Sequence, residues 1–413
     1  MKKKYEEKKL KFFFGILYLY LISSIIFPSS ENYGSTDSYG FKRLIPQLLS
    51  TLIVIITASS VFKALNKSNI IIRKFYYFAL YTFINFILYS ILKNASLYFI
   101  AEQFKIFVWI FPIYYLYNLF SSIDEELINT YLHTYIYIFL SYLIISIFQE
   151  YAFRSTGSIE IMTEGQGVYS GGAIYFIMPL IFIVFNRRWS TYLWLVGLAI
   201  AIMTAKRTPI VLLIVFGVFQ LKGMLKSLKF KDYTILSIIV VVIGTYVLAQ
   251  YWDMLIERNA SDAERGGSYG SGREIFYYYV LDGWINSDLI SQLFGHGFGS
   301  VQSLLLKKYG MAISSHNGFL DCVYVYGLLG LIIYVSIFIS LFKRYSVVKK
   351  YLPQYGYVYL AFIFMWLVQN LIIHGFAGPN MIPYGIFIAY IESKIYKKKK
   401  YGYQCECYNR MHE

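Results

Sequence analysis

The sequence predicts an all-α polytopic membrane protein of about 12 transmembrane helices, with one long extracytoplasmic loop containing short helices. Three observations predict it. Hydrophobic residues make up 57% of the 413, and the mean hydropathy of +0.51 is far above what a soluble domain carries. Aromatics are abundant, with 43 Tyr and 34 Phe, and many Tyr fall near the ends of apolar runs, where an amphipathic ring suits a membrane–water interface. The apolar pattern is broken at length only once, across residues 252–317, where most of the chemically capable polar groups are gathered. The chain therefore reads as a single integral-membrane domain over 1–413, with 252–317 as its long loop.

A membrane helix needs roughly 20 apolar residues. Runs of that order lie near 11–28, 44–62, 75–92, 101–120, 131–149, 168–186, 189–205, 208–222, 233–251, 318–342, 355–374 and 378–396. The fourth carries Glu102 and Lys105 in it or at its edge. The first follows a lysine-rich start that resembles a signal peptide, but no small-residue cleavage site follows it, so it is expected to remain as a span.

Orientation comes from the connections. One alternate set holds Lys63, Lys67, Arg73 and Lys74, then Arg187 and Arg188, then Lys222, Lys226, Lys229 and Lys231, then Lys343, Arg344, Lys349 and Lys350. The lysine-rich N-terminus and the tail from Lys397 join that set, whose one acidic member, SSIDEELINT, weighs little in the positive-inside rule. Both termini are thus expected in the cytoplasm and the 252–317 loop outside, in a multi-pass protein of the cell (cytoplasmic, or inner) membrane. Three other outward connections stand out, SSENYGSTDSYGF, EYAFRSTGSIEIMTEGQG and HGFAGPNM. The net charge of +15 is accounted for by this topology and calls for no nucleic-acid partner. Cys322, Cys405 and Cys407 suggest neither a disulfide framework nor a metal site.

Lys206-Arg207 lies between two apolar runs on the outward side, with Pro209 near the start of the next helix. An interfacial arginine can simply snorkel to water. Its position on the side that the charge bias disfavours argues instead for a functional role. Arg273 follows a Gly/Ser-rich run and precedes apolar residues at 275, 276, 279 and 280, a spacing that suits a helix lying along the membrane surface. An arginine at such a helix start shares its place with free backbone N–H groups, and both favour an anion. A solvated arginine paired with Glu264 or Glu274 is the other reading.

The run FGHGFGS sets Gly295, Gly297 and Gly299 two apart around His296, which reads as a tight turn; no Lys-Ser/Thr follows to make it a nucleotide loop. His316 stands in SSHNGFLDC just before the tenth run. Ser314, Ser315 or Asn317 can cap that helix, but capping does not call for a histidine. A neutral imidazole there can accept a proton from a sugar hydroxyl near neutral pH. No H-E-x-x-H or paired-carboxylate spacing supports a metal. Gln369, Asn370 and His374, near the outer end of the eleventh run, suit interhelical hydrogen bonding.

Taken in order, one long outward loop, Lys206-Arg207-Thr208 opening a helix, a G-x-G-x-G run, and His-Asn-x-Phe-Leu ahead of Gly327 to Leu331 resemble the O-antigen ligase and polymerase superfamily. The resemblance covers about 190–345 best; the first half matches in hydropathy alone. It implies an enzyme that transfers glycan from undecaprenyl diphosphate at the outer membrane face, without metal or other cofactor. It also implies that Arg207, Arg273 and His316 are the catalytic residues, with Lys206, Arg265, His296 and Asn317 binding substrate. Arg265, just upstream, competes with Arg273 for the role of loop arginine. Partners implied are an undecaprenyl-diphosphate-linked oligosaccharide, membrane lipid and a polysaccharide chain-length regulator. The expected activity is that of a repeat-unit polymerase for O-antigen, capsule or exopolysaccharide. A ligase that sends the finished glycan to a different acceptor is the alternative within the same chemistry. A lipid-linked oligosaccharide transporter (flippase) is the alternative outside it, although few charges lie deep in the spans and no repeat is detectable.

Overall fold

The computed structural model describes residues 2–26, 44–67, 69–93, 97–133, 212–214, 217–218, 273–310, 313–372 and 381–412. Among the described residues all regular structure is helical, and none is strand. The helices are α1 (Lys2–Ile26), α2 (Leu44–Lys67), α3 (Ile70–Lys93), α4 (Leu97–Ser122), α5 (Arg273–Ile285), α6 (Leu289–Phe294), α7 (Ser300–Tyr309), α8 (Gly318–Tyr351), α9 (Gly356–Ile372) and α10 (Ile382–His412). A 3-10 turn, Pro353–Tyr355, joins α8 to α9. The runs expected at 11–28, 44–62, 75–92, 101–120, 318–342, 355–374 and 378–396 fall on α1 to α4 and α8 to α10. Those expected at 131–149, 168–186, 189–205, 208–222 and 233–251 lie, but for a few residues, outside the described ones. Two helical segments, Ile70–Tyr89 and Gly318–Tyr351, are long and apolar enough to cross a membrane; Ile45–Val61 and Ile106–Ser122 are shorter apolar helices.

The surface of α3 agrees with an apolar surrounding. Tyr77, Leu80, Ile84 and Leu88 are exposed at steps of three and four residues, while Phe75, Tyr76, Phe78 and Ala79 are buried. A helix that turns such a stripe outward gains nothing from water and is stable in lipid.

The chain divides into two compact units: Met1–Tyr142 with Leu329–Leu360 and Phe376–Glu413, and Leu143–Leu328 with Ala361–Gly375. In the first unit α4 is central. Gly385 of α10 lies so close to it that a methyl group there would stand 2.6 Å from the Trp109 carbonyl oxygen, the close backbone approach that small residues permit between membrane helices. Pro112 interrupts the hydrogen bonding inside α4. Beside it, the Tyr76 hydroxyl donates to the Phe111 carbonyl at 2.6 Å and accepts from the Tyr114 amide at 3.4 Å. A hydroxyl from α3 thus bonds the α4 backbone on either side of the proline.

One end of this unit is held by charge. Arg344 of α8 grips Glu392 of α10 with two hydrogen bonds, from Nε to Oε1 at 2.9 Å and from its terminal nitrogen to Oε2. Asn69 also donates to Glu392 Oε2, at 2.7 Å. The Asn69 side-chain oxygen meanwhile accepts from the Ile71 and Ile72 amides, capping α3. One nearly buried carboxylate therefore ties together α3, α8 and α10. Nearby, Lys3 pairs with Asp124, and Lys394 pairs with Glu125 and donates to the Tyr355 hydroxyl. The acidic connection after α4 thus meets basic residues from α1 and α10.

Candidate active site

The second unit holds the candidate site, built on the first turns of α8. Asn317 caps this helix, its side-chain oxygen accepting from the Phe319 and Leu320 amides at 3.0 and 3.1 Å. Ser315 braces the approach, its hydroxyl accepting from the Asn317 amide at 3.1 Å. Its own amide donates to Asp321 Oδ1 at 3.1 Å. Asp321, in the first turn, is buried, and a carboxylate there also complements the positive end of the helix dipole. Between these two anchors His316 adopts φ 59°, the only positive φ among described non-glycine residues. Histidine enters the left-handed region more readily than most side chains, but at a cost of about 1 kcal/mol or more. The surrounding hydrogen bonds hold it there.

Arg273 is the first described residue of α5, and Glu274 lies beside it. One turn on, the buried Phe276 packs edge-on against Tyr309 at 5.0 Å between ring centres and approaches the His316 ring at 6.5 Å. Tyr277 feels both neighbourhoods. Burial raises its phenol pKa, Arg273 opposes that rise, and Asp321 adds to it. Arg273, Tyr277, Asp321 and His316 thus share one region. Such a region offers a permanent cation, an imidazole and a phenol beside a helix start, which together can hold an anion and move a proton.

The glycine run is a turn, and its purpose is docking. Gly295, Gly297 and Gly299 all have positive φ, at 86°, 82° and 79°. The expected uninterrupted span over 318–342 is broken at Gly327, whose φ of 70° and ψ of −177° are non-helical. A break of this kind withdraws donors from preceding carbonyls. The turn supplies them: the His296 amide donates to the Tyr324 carbonyl at 2.9 Å, and the Gly297 amide to the Val325 carbonyl at 3.0 Å. Gly295 and Gly327 meet back to back. A Cβ on Gly327 would lie 2.2 Å from the Leu293 carbonyl oxygen, and one on Gly295 would lie 2.2 Å from that of Val325. The His296 ring stacks on Tyr324 at 4.4 Å. It belongs to this docking, and its stacking partner Tyr324 lies eight residues after His316 in sequence.

Arg207, Lys206, Arg265 and His374 lie outside the described residues. Gln369 and Asn370 are buried in α9, where the Asn370 amide donates to the Trp366 carbonyl of its own helix at 2.8 Å. Sequence reasoning passed over Asp321 and Tyr277. The signal for Asp321 was present: it is an acidic residue placed inside an apolar run, by default a functional candidate. Glu392 carries the same signal in the last run. No protein-family model and no curated protein sequence matches this chain.

Proposed function

We propose that this chain is a polysaccharide repeat-unit polymerase of the O-antigen ligase and polymerase superfamily. In this reading it has about 12 spans, both termini in the cytoplasm and the 252–317 loop outside. It moves a growing glycan from undecaprenyl diphosphate onto a lipid-linked acceptor repeat at the outer membrane face. The observation that carries the reading is the approach of the Phe276 ring to His316 one turn after Arg273. Two residues selected for separate chemical reasons, and far apart in sequence, share one neighbourhood.

The chemistry follows from the groups. An acceptor hydroxyl oxygen attacks the anomeric carbon of the donor sugar, and the bond from that carbon to the diphosphate oxygen breaks. His316 accepts the hydroxyl proton. Negative charge gathers on the departing diphosphate, where Arg273 and Arg207 stabilise it with bidentate hydrogen bonds at any relevant pH. Asp321 acts indirectly, holding the Ser315 amide and with it the turn that presents His316.

The test uses the full chain in lipid vesicles with an undecaprenyl-diphosphate-linked repeat from its host, the products being sized on a gel. A ladder that disappears with Arg207→Ala supports the polymerase and places that arginine in it. Transfer only after a second kind of lipid acceptor is supplied means ligase. Substrate crossing the bilayer with no transfer to any acceptor means a transporter and overturns the reading.

A further inference from the structure

The charged start of α1 is mixed in sequence, KKKYEEKKLK, yet the fold sorts its charges by face. Lys3 pairs with Asp124. Lys9 pairs with Glu6 at 3.3 Å and stands over the Tyr5 ring, 4.3 Å from its centre. The charge of Glu7 acts on Lys3 and on Tyr131. Both carboxylates of this helix start are thus engaged within the first unit. Lys4, Lys8 and Lys11 stay exposed, and among the described residues they form no ion pair. They follow one another at steps of four and three residues, so three ammonium groups line one face.

That face continues along the helix as an apolar one. Gly15, Leu19 and Ile22 extend the spacing by four, four and three residues, with Phe12 beside them, and all four are exposed. Phe13, Phe14, Leu17 and Leu21 take the buried side of the same helix. At Gly15 a Cβ would meet nothing within 4 Å, which makes it a notch in the outward surface between the lysines and the larger side chains beyond. From Lys11 to Ile22 the helix rises about 16 Å at 1.5 Å per residue. That is about the depth of one leaflet in a hydrocarbon core about 30 Å thick.

The two halves of this stripe call for one kind of occupant. A soluble anion meets the lysines and leaves the apolar half in water. A second copy in the same membrane orientation sets lysine opposite lysine, because a two-fold interface brings the same patch onto itself. Lysine stems lie along apolar surface while their ammonium groups reach the headgroup level, and such groups draw anionic lipid. We infer that this face of α1 binds an anionic phospholipid, its phosphate held by Lys8 and Lys11 with Lys4 one turn further out, and an acyl chain lying in the notch at Gly15. In taking α1 as a membrane span the inference rests on the topology proposed above; it needs nothing of the glycan chemistry.

The test needs no activity. Phe12→Cys and, separately, Ile84→Cys are introduced into the full chain with Cys405 and Cys407 replaced by serine, and each is labelled with a fluorophore in phosphatidylcholine vesicles. Ile84 lies within the exposed stripe of α3, away from the basic residues at the ends of that helix. The vesicles carry a small, equal fraction of either spin-labelled phosphatidylglycerol or spin-labelled phosphatidylcholine. At position 12 the phosphatidylglycerol should quench several-fold more than the phosphatidylcholine, the excess shrinking as salt is raised; at position 84 the two should quench alike. Lys4→Gln, Lys8→Gln and Lys11→Gln together should remove the preference at 12. Lys398→Gln, Lys399→Gln and Lys400→Gln together, an equal loss of charge, should leave it. Equal quenching at 12 by the two lipids overturns the inference and leaves the topology standing. So does a preference that survives the changes in α1, or one that both sets of changes abolish, which makes net charge its cause. No quenching at 12 by either lipid takes α1 out of the bilayer and overturns the topology as well; if unlabelled Phe12→Cys then cross-links two copies, the face is an interface between them.

Discussion

Replacing Gly327 with alanine tests the docking of the glycine turn onto α8. The new methyl meets backbone on every side: the Leu293 oxygen at 2.2 Å, the Leu293 carbonyl carbon at 2.3 Å and the Gly295 nitrogen at 2.5 Å. None of these can rotate away, so the turn must withdraw. Withdrawal breaks the hydrogen bonds from His296 to Tyr324 and from Gly297 to Val325, each worth about 1 kcal/mol net and more if the buried carbonyls stay unserved. The backbone conformation itself, φ 70° with ψ −177°, costs a non-glycine residue about 1–3 kcal/mol. The sum is about 3–6 kcal/mol. Gly310 supplies the control, because its φ is 81° but a methyl there meets nothing within 4 Å; Gly310→Ala should cost only about 1–2 kcal/mol. Thermal unfolding of both variants in detergent measures the difference, and hydrogen exchange at the His296 and Gly297 amides locates it. Equal destabilisation by the two variants, or amides at 296 and 297 as protected in Gly327→Ala as in the parent, would refute the reasoning.

Three further outcomes are expected. Glu392→Ala leaves Arg344, whose side chain is only 16% exposed, without its bidentate partner; unfolding should become easier by about 3–5 kcal/mol, and adding Arg344→Met should restore much of it. If the single change proves silent in thermal unfolding, the clasp contributes nothing. His316→Gln, which keeps hydrogen bonding but not basicity, should lower glycan transfer by about 10²-fold or more near neutral pH without a change in melting temperature; full activity removes His316 as the base. Asp288 has its carboxyl pKa lowered by the Ser291 hydroxyl and then by the Ser291 amide. Its contribution to α6 is thus present above the ordinary aspartate pKa of about 3.9 and lost as pH falls through the depressed value. A fluorophore at position 290 should report loosening only in that acid window, and Asp288→Asn, which still caps but cannot titrate, should flatten the response.

The boundary between what was legible and what was not runs along the range of the forces. Helical class, the cap before α8 and the turn at Gly295–Gly299 are local facts. Apolar spacing, capping oxygens and glycine's access to positive φ act over a few residues, so the sequence alone determined them. It also singled out Arg273 and His316, because charge and imidazole in such places call for a reason. Tertiary structure decided which distant groups meet. Gly327 breaks its helix because the amides of His296 and Gly297, some thirty residues earlier in the chain, arrive to satisfy the freed carbonyls. Asp321 holds the Ser315 amide, and Arg344 reaches Glu392 rather than solvent. Nothing in local pattern distinguishes a basic residue that marks a membrane side from one that clasps a carboxylate on another helix. That choice belongs to packing, where burial makes an unmet polar group too costly to leave and selects its partner from across the fold.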